Sequence, residues 1–476
     1  MVYAAHGLIG VLGVIAIPVT LRLLGASGYG LLSIYTLLSA CVLIADLGVG
    51  KNLLRLLSQA PDDEQRLHHI RVGLGLYVLL CAGWFATLPV LVIVVPRFLF
   101  PVPVEYLAGL RWMVVLAALE FALGVPASLM QTARVAAQRF DSYAGYSLAT
   151  GLTRNGMMIS AALIFGSPVA VAAALALRKL VDVLLAGKIL GWLPRAAWRP
   201  IFNLRSFKGM LSQSVALSAA LVLNATLMGI GSPLVNAEFG LRELGLYRAA
   251  FDLAGKIAFV SNGVTLVVFP RAARYFAMAR DLRQAGTVFG VAVRCSSIAY
   301  LTFAACGIVA APWVLPAIGL RDATTTSMFL LLIVGLSLNA HSLLANELVQ
   351  AAGSYRYSIY LNLSALVTLV VLFKAMPVPG VMAIGWAWIG AALVSAMMGD
   401  ALVLSLCATG RSGQVGAALG KILATAACVG LLLFQAHLAV LCGTVLAGIL
   451  GWAVRDAIRL RGATSVPQSI EDPVCA

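Results

Sequence analysis

Runs of roughly 20 apolar residues recur along this chain from end to end. Each is long enough to cross the hydrocarbon core of a bilayer as a helix. Of the 476 residues, 61% are apolar and 11% charged, whereas soluble domains carry about 25% charged residues. The short alternating segments of a membrane β-barrel are not seen. The sequence therefore predicts an all-α integral membrane protein with about 14 transmembrane helices. The candidate spans run from 3–24 and 29–50 to a closely spaced last pair at 417–435 and 437–455. No cleavable leader is visible, so the first span is expected to remain as a helix.

The net charge of +15 follows the spans. With the N-terminus inside, the cytoplasmic connections hold roughly 21 Lys and Arg and the external ones roughly six, a positive-inside bias. The connections 51–71, 188–208 and 271–283 carry most of it. The basic balance thus reports topology and contact with anionic headgroups of membrane lipids rather than nucleic acid. An even number of spans puts the C-terminus inside as well. Seven of the eight cysteines fall in or beside apolar spans, with no C-x-x-C, and the five histidines are scattered. The cysteines read as small buried hydrophobes, and His68-His69 sits in a charged loop with no H-E-x-x-H. No metal or cofactor site is expected.

The chain repeats itself. A single offset of 215 carries Gly25 onto Gly240, Gly30 onto Gly245, Pro18 onto Pro233, and Pro101 onto Pro316. It also carries Gly48-Val49 onto Gly263-Val264, Ala136-Ala137 onto Ala351-Ala352, and Phe140 onto Tyr355. Six spans separate equivalent positions, so both halves cross in the same sense. That is a parallel repeat about an axis along the membrane normal. The expected organisation is a six-helix lobe over 1–205, a second over 206–410, and two accessory helices with a cytoplasmic tail over 411–476. Pro18 and Pro233 are expected to kink the first helix of each half.

Ionisable residues inside spans are costly and mark candidate sites. Arg248, Asp252 and Lys256 are spaced i, i+4, i+8 and form one stripe with a surplus positive charge. Arg178 and Asp182 repeat the i, i+4 pair, with Lys179 beside them. Arg154 stands in the fifth span, Arg22 ends the first, and Glu120 is isolated in the fourth. Asn339, Asn346 and Gln350 share one helical face, set either for helix–helix hydrogen bonds or for sugar hydroxyls. Asp46 lies at the end of the second span in ADLGVGKN and reads either as a gate or coupling residue or as an interfacial cap. A locally basic cavity suits an anion such as a phosphate or pyrophosphate.

Three segments carry a family resemblance. LRLLGASGYGLLSIYTLLSACVLIADLGVGKNLLR (21–55), QTARVAAQRFDSYA (131–144) and GLYRAAFDLAGKIAFVSNGVTLVVFPRAARYF (245–276) resemble Wzx-type oligosaccharide flippases of the MOP exporter superfamily. The resemblance implies MATE-like packing of two six-helix lobes around a central cavity. It implies export of undecaprenyl-pyrophosphate-linked oligosaccharide across the bacterial inner membrane for O-antigen, capsule or exopolysaccharide. It makes a polysaccharide polymerase and glycosyltransferases the expected partners. In related lipid II flippases, basic residues on the first, second and eighth helices line the cavity. Arg22, Lys51 or Arg55, and Arg248 with Lys256 occupy comparable helices here.

Phosphate contact is thus expected from Arg248, Lys256, Arg178, Arg154 and Arg22, with Asp252, Asp182 and Asp46 as supporting or coupling acids. The alternatives are a cation-coupled drug antiporter of the same superfamily and a membrane enzyme acting on lipid-linked sugar. Residues 1–24 hold no acid, unlike many such antiporters. The longest external connection (96–110) has one acid, Glu105, too little for a catalytic pair.

Overall fold

The computed structural model describes residues 2–44, 49–60, 62–137, 139–257, 300, 303–304, 306–317, 320, 323–351, 354–378 and 380–407. Asp46, the segment 258–299 and the accessory region 411–476 lie outside the described residues. Twelve helices account for nearly all the described chain. In the first half they are α1 (Val2–Ile44), α2 (Val49–Gln59), α3 (Asp63–Val94), α4 (Val104–Ala136), α5 (Phe140–Phe165) and α6 (Pro168–Leu185). In the second half they are α7 (Leu204–Gly229), α8 (Gly231–Ala254), α9 (Cys306–Ala317), α10 (Ala323–Ala351), α11 (Tyr355–Ala375) and α12 (Met382–Cys407). Seven described segments are long and apolar enough to cross a membrane.

Local chemistry sets the ends. Asp62 precedes α3 and accepts from the Gln65 backbone N–H at 2.7 Å, satisfying one of the free amides of the first turn. Gly166 closes α5 with φ 56°, its N–H returning to Ala162, and Pro168 opens α6 where no amide is needed. The outward faces are apolar: Val90, Ile93, Trp112, Ile164 and Met397 are all more than half exposed. Such a surface belongs against hydrocarbon. The apolar stretch of α3 is only 6% buried and lies at the periphery. That of α10 is 83% buried and forms the centre of the second half.

The repeat survives in three dimensions. α4 ends at Ala136 and α10 at Ala351; α5 begins at Phe140 and α11 at Tyr355. Each pair is separated by the same offset of 215. Gly25 (φ 71°, ψ 170°) breaks α1, and its mate Gly240 (φ 83°, ψ 179°) breaks α8. Both positions lie in backbone space that L side chains rarely adopt. Between the halves, α1 and α8 cross at Gly30 and Gly245. A methyl on Gly30 would overlap the Leu241 carbonyl, and one on Gly245 would overlap the Ala26 carbonyl. Only hydrogen fits there, so the two backbones meet directly.

The prolines behave differently from each other. A turn at Ile230 ends α7 just before Pro233, which has no amide N–H to close the ladder. α1 runs through Pro18 without interruption. The helix of the second span is described to Ile44, and an amphipathic helix over Val49–Gln59 carries Lys51 and Arg55.

Candidate functional site

A cavity of about 890 Å³ lies between the halves, lined from α1, α4, α5, α6, α7 and α8. Ile9 and Ala40 both face it. On an unbroken helix they would stand roughly 46 Å apart, at 1.5 Å per residue. The break at Gly25 therefore folds α1 back on itself, and both of its limbs contribute walls.

Seven ionisable Asp, Arg and Lys side chains line this space. Five are basic (Arg154, Arg178, Lys179, Arg248, Lys256) and two acidic (Asp182, Asp252). In the second-half cluster, Arg248 donates to Asp252 at 2.7 Å, and the Tyr29 hydroxyl reaches across from α1 to donate to the same carboxylate at 3.0 Å. The Arg248 guanidinium also lies 4.9 Å from the centre of the Phe251 ring, a favourable cation–π placement. Lys256 extends towards Gly13, where a methyl would come within 2.7 Å of Nζ. That glycine leaves room for the ammonium.

In the first-half cluster, Arg178 pairs with Asp182 at 2.8 Å, both nearly fully buried. Lys179 sits between two carboxylates, 3.8 Å from Asp182 and 3.6 Å from Glu120. Glu120 accepts from the Tyr35 and Ser39 hydroxyls at 2.7 and 2.8 Å. It occupies a side chamber of about 170 Å³ that shares Gln131, Tyr146, Lys179 and Asp182 with the main cavity.

Three features equip the cavity for an anion. Arg154 projects from α5 and is exposed in it, with no hydrogen bond or ion pair to the described residues. The Nε–H groups of Arg178 and Arg248 are buried without an acceptor. Buried donors of that kind are costly until an acceptor arrives. The positive charges outnumber the negative by five to two, so the cavity attracts an anion on balance.

The other expected residues sit elsewhere. Arg22 is not among the cavity-lining residues; it is exposed three positions before Gly25, and its guanidinium donates to the Ala317 carbonyl. Asn339, Asn346 and Gln350 are buried in α10, away from the cavity lining. Gln350 donates to Ser358 of α11 at 3.1 Å, and Ser358 donates to Asn346. Those two amides join α10 to α11. Tyr29 and Tyr35 were not marked by the sequence, and Glu120 stood there as an isolated acid without a role. Their partners lie 85 or 223 positions away, as in Tyr35–Glu120 and Tyr29–Asp252, so no local pattern announces them. Among the described residues no group of three or more His, Cys, Asp and Glu is placed to hold a metal.

Known folds match this arrangement over most of the chain. It is similar to the lipid II flippase MurJ in an inward closed conformation, with a TM-score of 0.69 at 10% identity, covering 96% of this chain and 99% of that one. It is similar to an inward-facing multidrug resistance MATE family transporter of the MOP superfamily, with a TM-score of 0.60 at 16% identity, covering 84% and 96%. A eukaryotic MATE transporter matches with a TM-score of 0.56 at 14% identity, covering 88% and 96%. At these identities the likeness is one of fold. No curated protein matches by sequence. The family model described as polysaccharide biosynthesis protein matches residues 19–318, well over half of the chain. The chain has the fold of the MOP transporters and belongs to the polysaccharide biosynthesis protein family.

Proposed function

We propose that this protein is a flippase that carries undecaprenyl-pyrophosphate-linked oligosaccharide units across the bacterial inner membrane by alternating access of its two halves. The observation that carries this reading is the cavity between them, with five basic against two acidic side chains. Family membership supports a role in polysaccharide biosynthesis. The pyrophosphate is drawn to Arg154, Arg178, Arg248 and Lys256, and the prenyl tail stays in lipid. Asp182 and Asp252 hold their arginines in place. Guanidinium groups suit this task because they bind phosphoryl oxygens through two parallel donors. At about 890 Å³ the space matches the ~300–1,000 Å³ of small-ligand sites. It seats the pyrophosphate and the first sugars.

In this reading the termini and the cavity mouth face the cytoplasm, and the turn at Gly25 faces outward. A polymerase and glycosyltransferases act on the same lipid-linked units. A cationic drug would meet net repulsion in this cavity, which sets the antiporter reading second. Replacing both Arg248 and Lys256 with alanine is expected to abolish surface-polysaccharide production while the protein remains in the membrane. Wild-type polysaccharide in that double variant would sink the assignment.

A further inference from the structure

At the end of the bundle that carries Gly25 and Gly240, two hydrogen bonds cross between the halves. Arg22 of the first half donates to the carbonyl of Ala317 in the second. Asn236 of the second half donates its Nδ2–H to the carbonyl of Pro101 in the first, at 2.9 Å. Each donor sits a few residues before its own half's glycine break. The offset of 215 places Arg22 on Ala237, the neighbour of Asn236, and Pro101 on Pro316, the neighbour of Ala317. Each half therefore reaches across to an equivalent place in the other.

This pairing is not a by-product of the repeated sequence. The direct mates of the donors, Ala237 and Leu21, have no polar side-chain atom. Two different side chains, displaced by one position, make the same kind of bond to the same kind of acceptor. A backbone carbonyl is also an acceptor that releases cleanly, because water replaces the donor when the bond opens. Asn236 is 3% exposed, and its Oδ1 is buried without a partner. Its amide is thus only half satisfied in this state.

Five residues beyond each glycine break, Gly30 and Gly245 bring the halves into backbone contact. We propose that Arg22 and Asn236 form a two-fold pair of latches that hold the cavity shut at the glycine-turn end, and that both release when the halves rock apart there. The cargo comes from the transport reading above, but the latch is testable without cargo.

Ala225 lines the cavity and is partly exposed. The full chain carrying Ala225→Cys, in right-side-out and inside-out membrane vesicles, is treated with a charged, membrane-impermeant thiol reagent. The chain without this substitution gives the background from the native cysteines. With both latches intact, Cys at 225 labels slowly from the glycine-turn face. Arg22→Ala and Asn236→Ala each speed that labelling, and together they speed it about tenfold, as two lost hydrogen bonds bias a two-state equilibrium. Labelling from the opposite face falls in parallel. Arg22→Lys, which keeps a donor, stays near the latched rate. Unchanged labelling in the double variant overturns the proposal, and so does faster labelling from both faces, which marks a loosened bundle. Reciprocal labelling beside wild-type polysaccharide in the Arg248→Ala/Lys256→Ala variant would sustain the latch and defeat the flippase reading.

Discussion

Where both halves are described, they share backbone features and differ in charge. Helix ends, glycine breaks and the Gly30–Gly245 contact recur at one offset. The ionisable residues do not. Arg248, Asp252 and Lys256 have Ser33, Leu37 and Cys41 as mates, and Arg178 and Asp182 have Leu393 and Met397. Glu120 is matched by Gly335. The first half builds its cluster on α4 and α6, and the second builds its own on α8 and the turn Gly255–Ile257 that follows it. The repeat thus supplies a symmetric frame, and each half places its chemistry independently on that frame. Both clusters nonetheless face one cavity, with Arg154 exposed in it.

This contrast is open to test, beginning with the largest effect. The Arg178–Asp182 pair is 6% and 5% exposed, and the Arg248–Asp252 pair 13% and 28%. Removing one partner of a buried pair strands the other charge, at about 3–5 kcal/mol. Asp182→Ala should therefore lower unfolding stability in detergent by about 3 kcal/mol. Asp252→Ala should lower it by about 1–2 kcal/mol, since solvent in the cavity screens Arg248. Equal losses would mean that the two clusters do not differ in burial as described.

Next come the symmetric contacts. Gly30→Ala and Gly245→Ala each force a methyl into backbone across the interface, so each should cost about 2 kcal/mol. The two should agree to within about 1 kcal/mol, because the same crossing is strained from either side. A large loss at one glycine with none at the other breaks the symmetric frame. Gly25→Ala and Gly240→Ala meet open space but an unfavourable dihedral. Each should cost about 1–2 kcal/mol, again as a matched pair. The smallest effect is expected at Ser33, the mate of Arg248, whose hydroxyl bonds only to its own helix at the Gly30 carbonyl. Ser33→Ala should leave polysaccharide production unchanged, whereas Arg248→Ala should reduce it sharply.

Much of this was legible in the sequence. Span lengths pointed to the helical membrane fold, and the offset of 215 paired Gly25 with Gly240, although the kinks were expected at Pro18 and Pro233 and α1 runs on through Pro18. The i, i+4 pairs at 178/182 and 248/252 were visible because their partners lie one helical turn apart. The rest depended on distance in space. Glu120 looked isolated because Tyr35, Ser39 and Lys179 come from other helices. Arg22 looked like a site residue because a basic group near a span end fits either a cavity or a connection, and only the turn at Gly25 decides which. Asn346 and Gln350 share a face, as their spacing predicts, but that face meets Ser358 of α11 rather than the cavity. Periodicity reports which side chains lie together on a helix, and not what lies opposite them.

The central claim is that the basic cavity between the halves carries an anionic, lipid-linked headgroup. The direct measurement is headgroup translocation by the purified protein in proteoliposomes. The cargo is a polyprenyl-pyrophosphate-linked oligosaccharide, read by the access of a membrane-impermeant glycosidase to the glycan. The account predicts translocation by the intact chain, its loss in Arg248→Ala/Lys256→Ala, and none for the same glycan on an uncharged prenyl ether. Equal translocation of the charged and uncharged lipids, undiminished in the double variant, would contradict it.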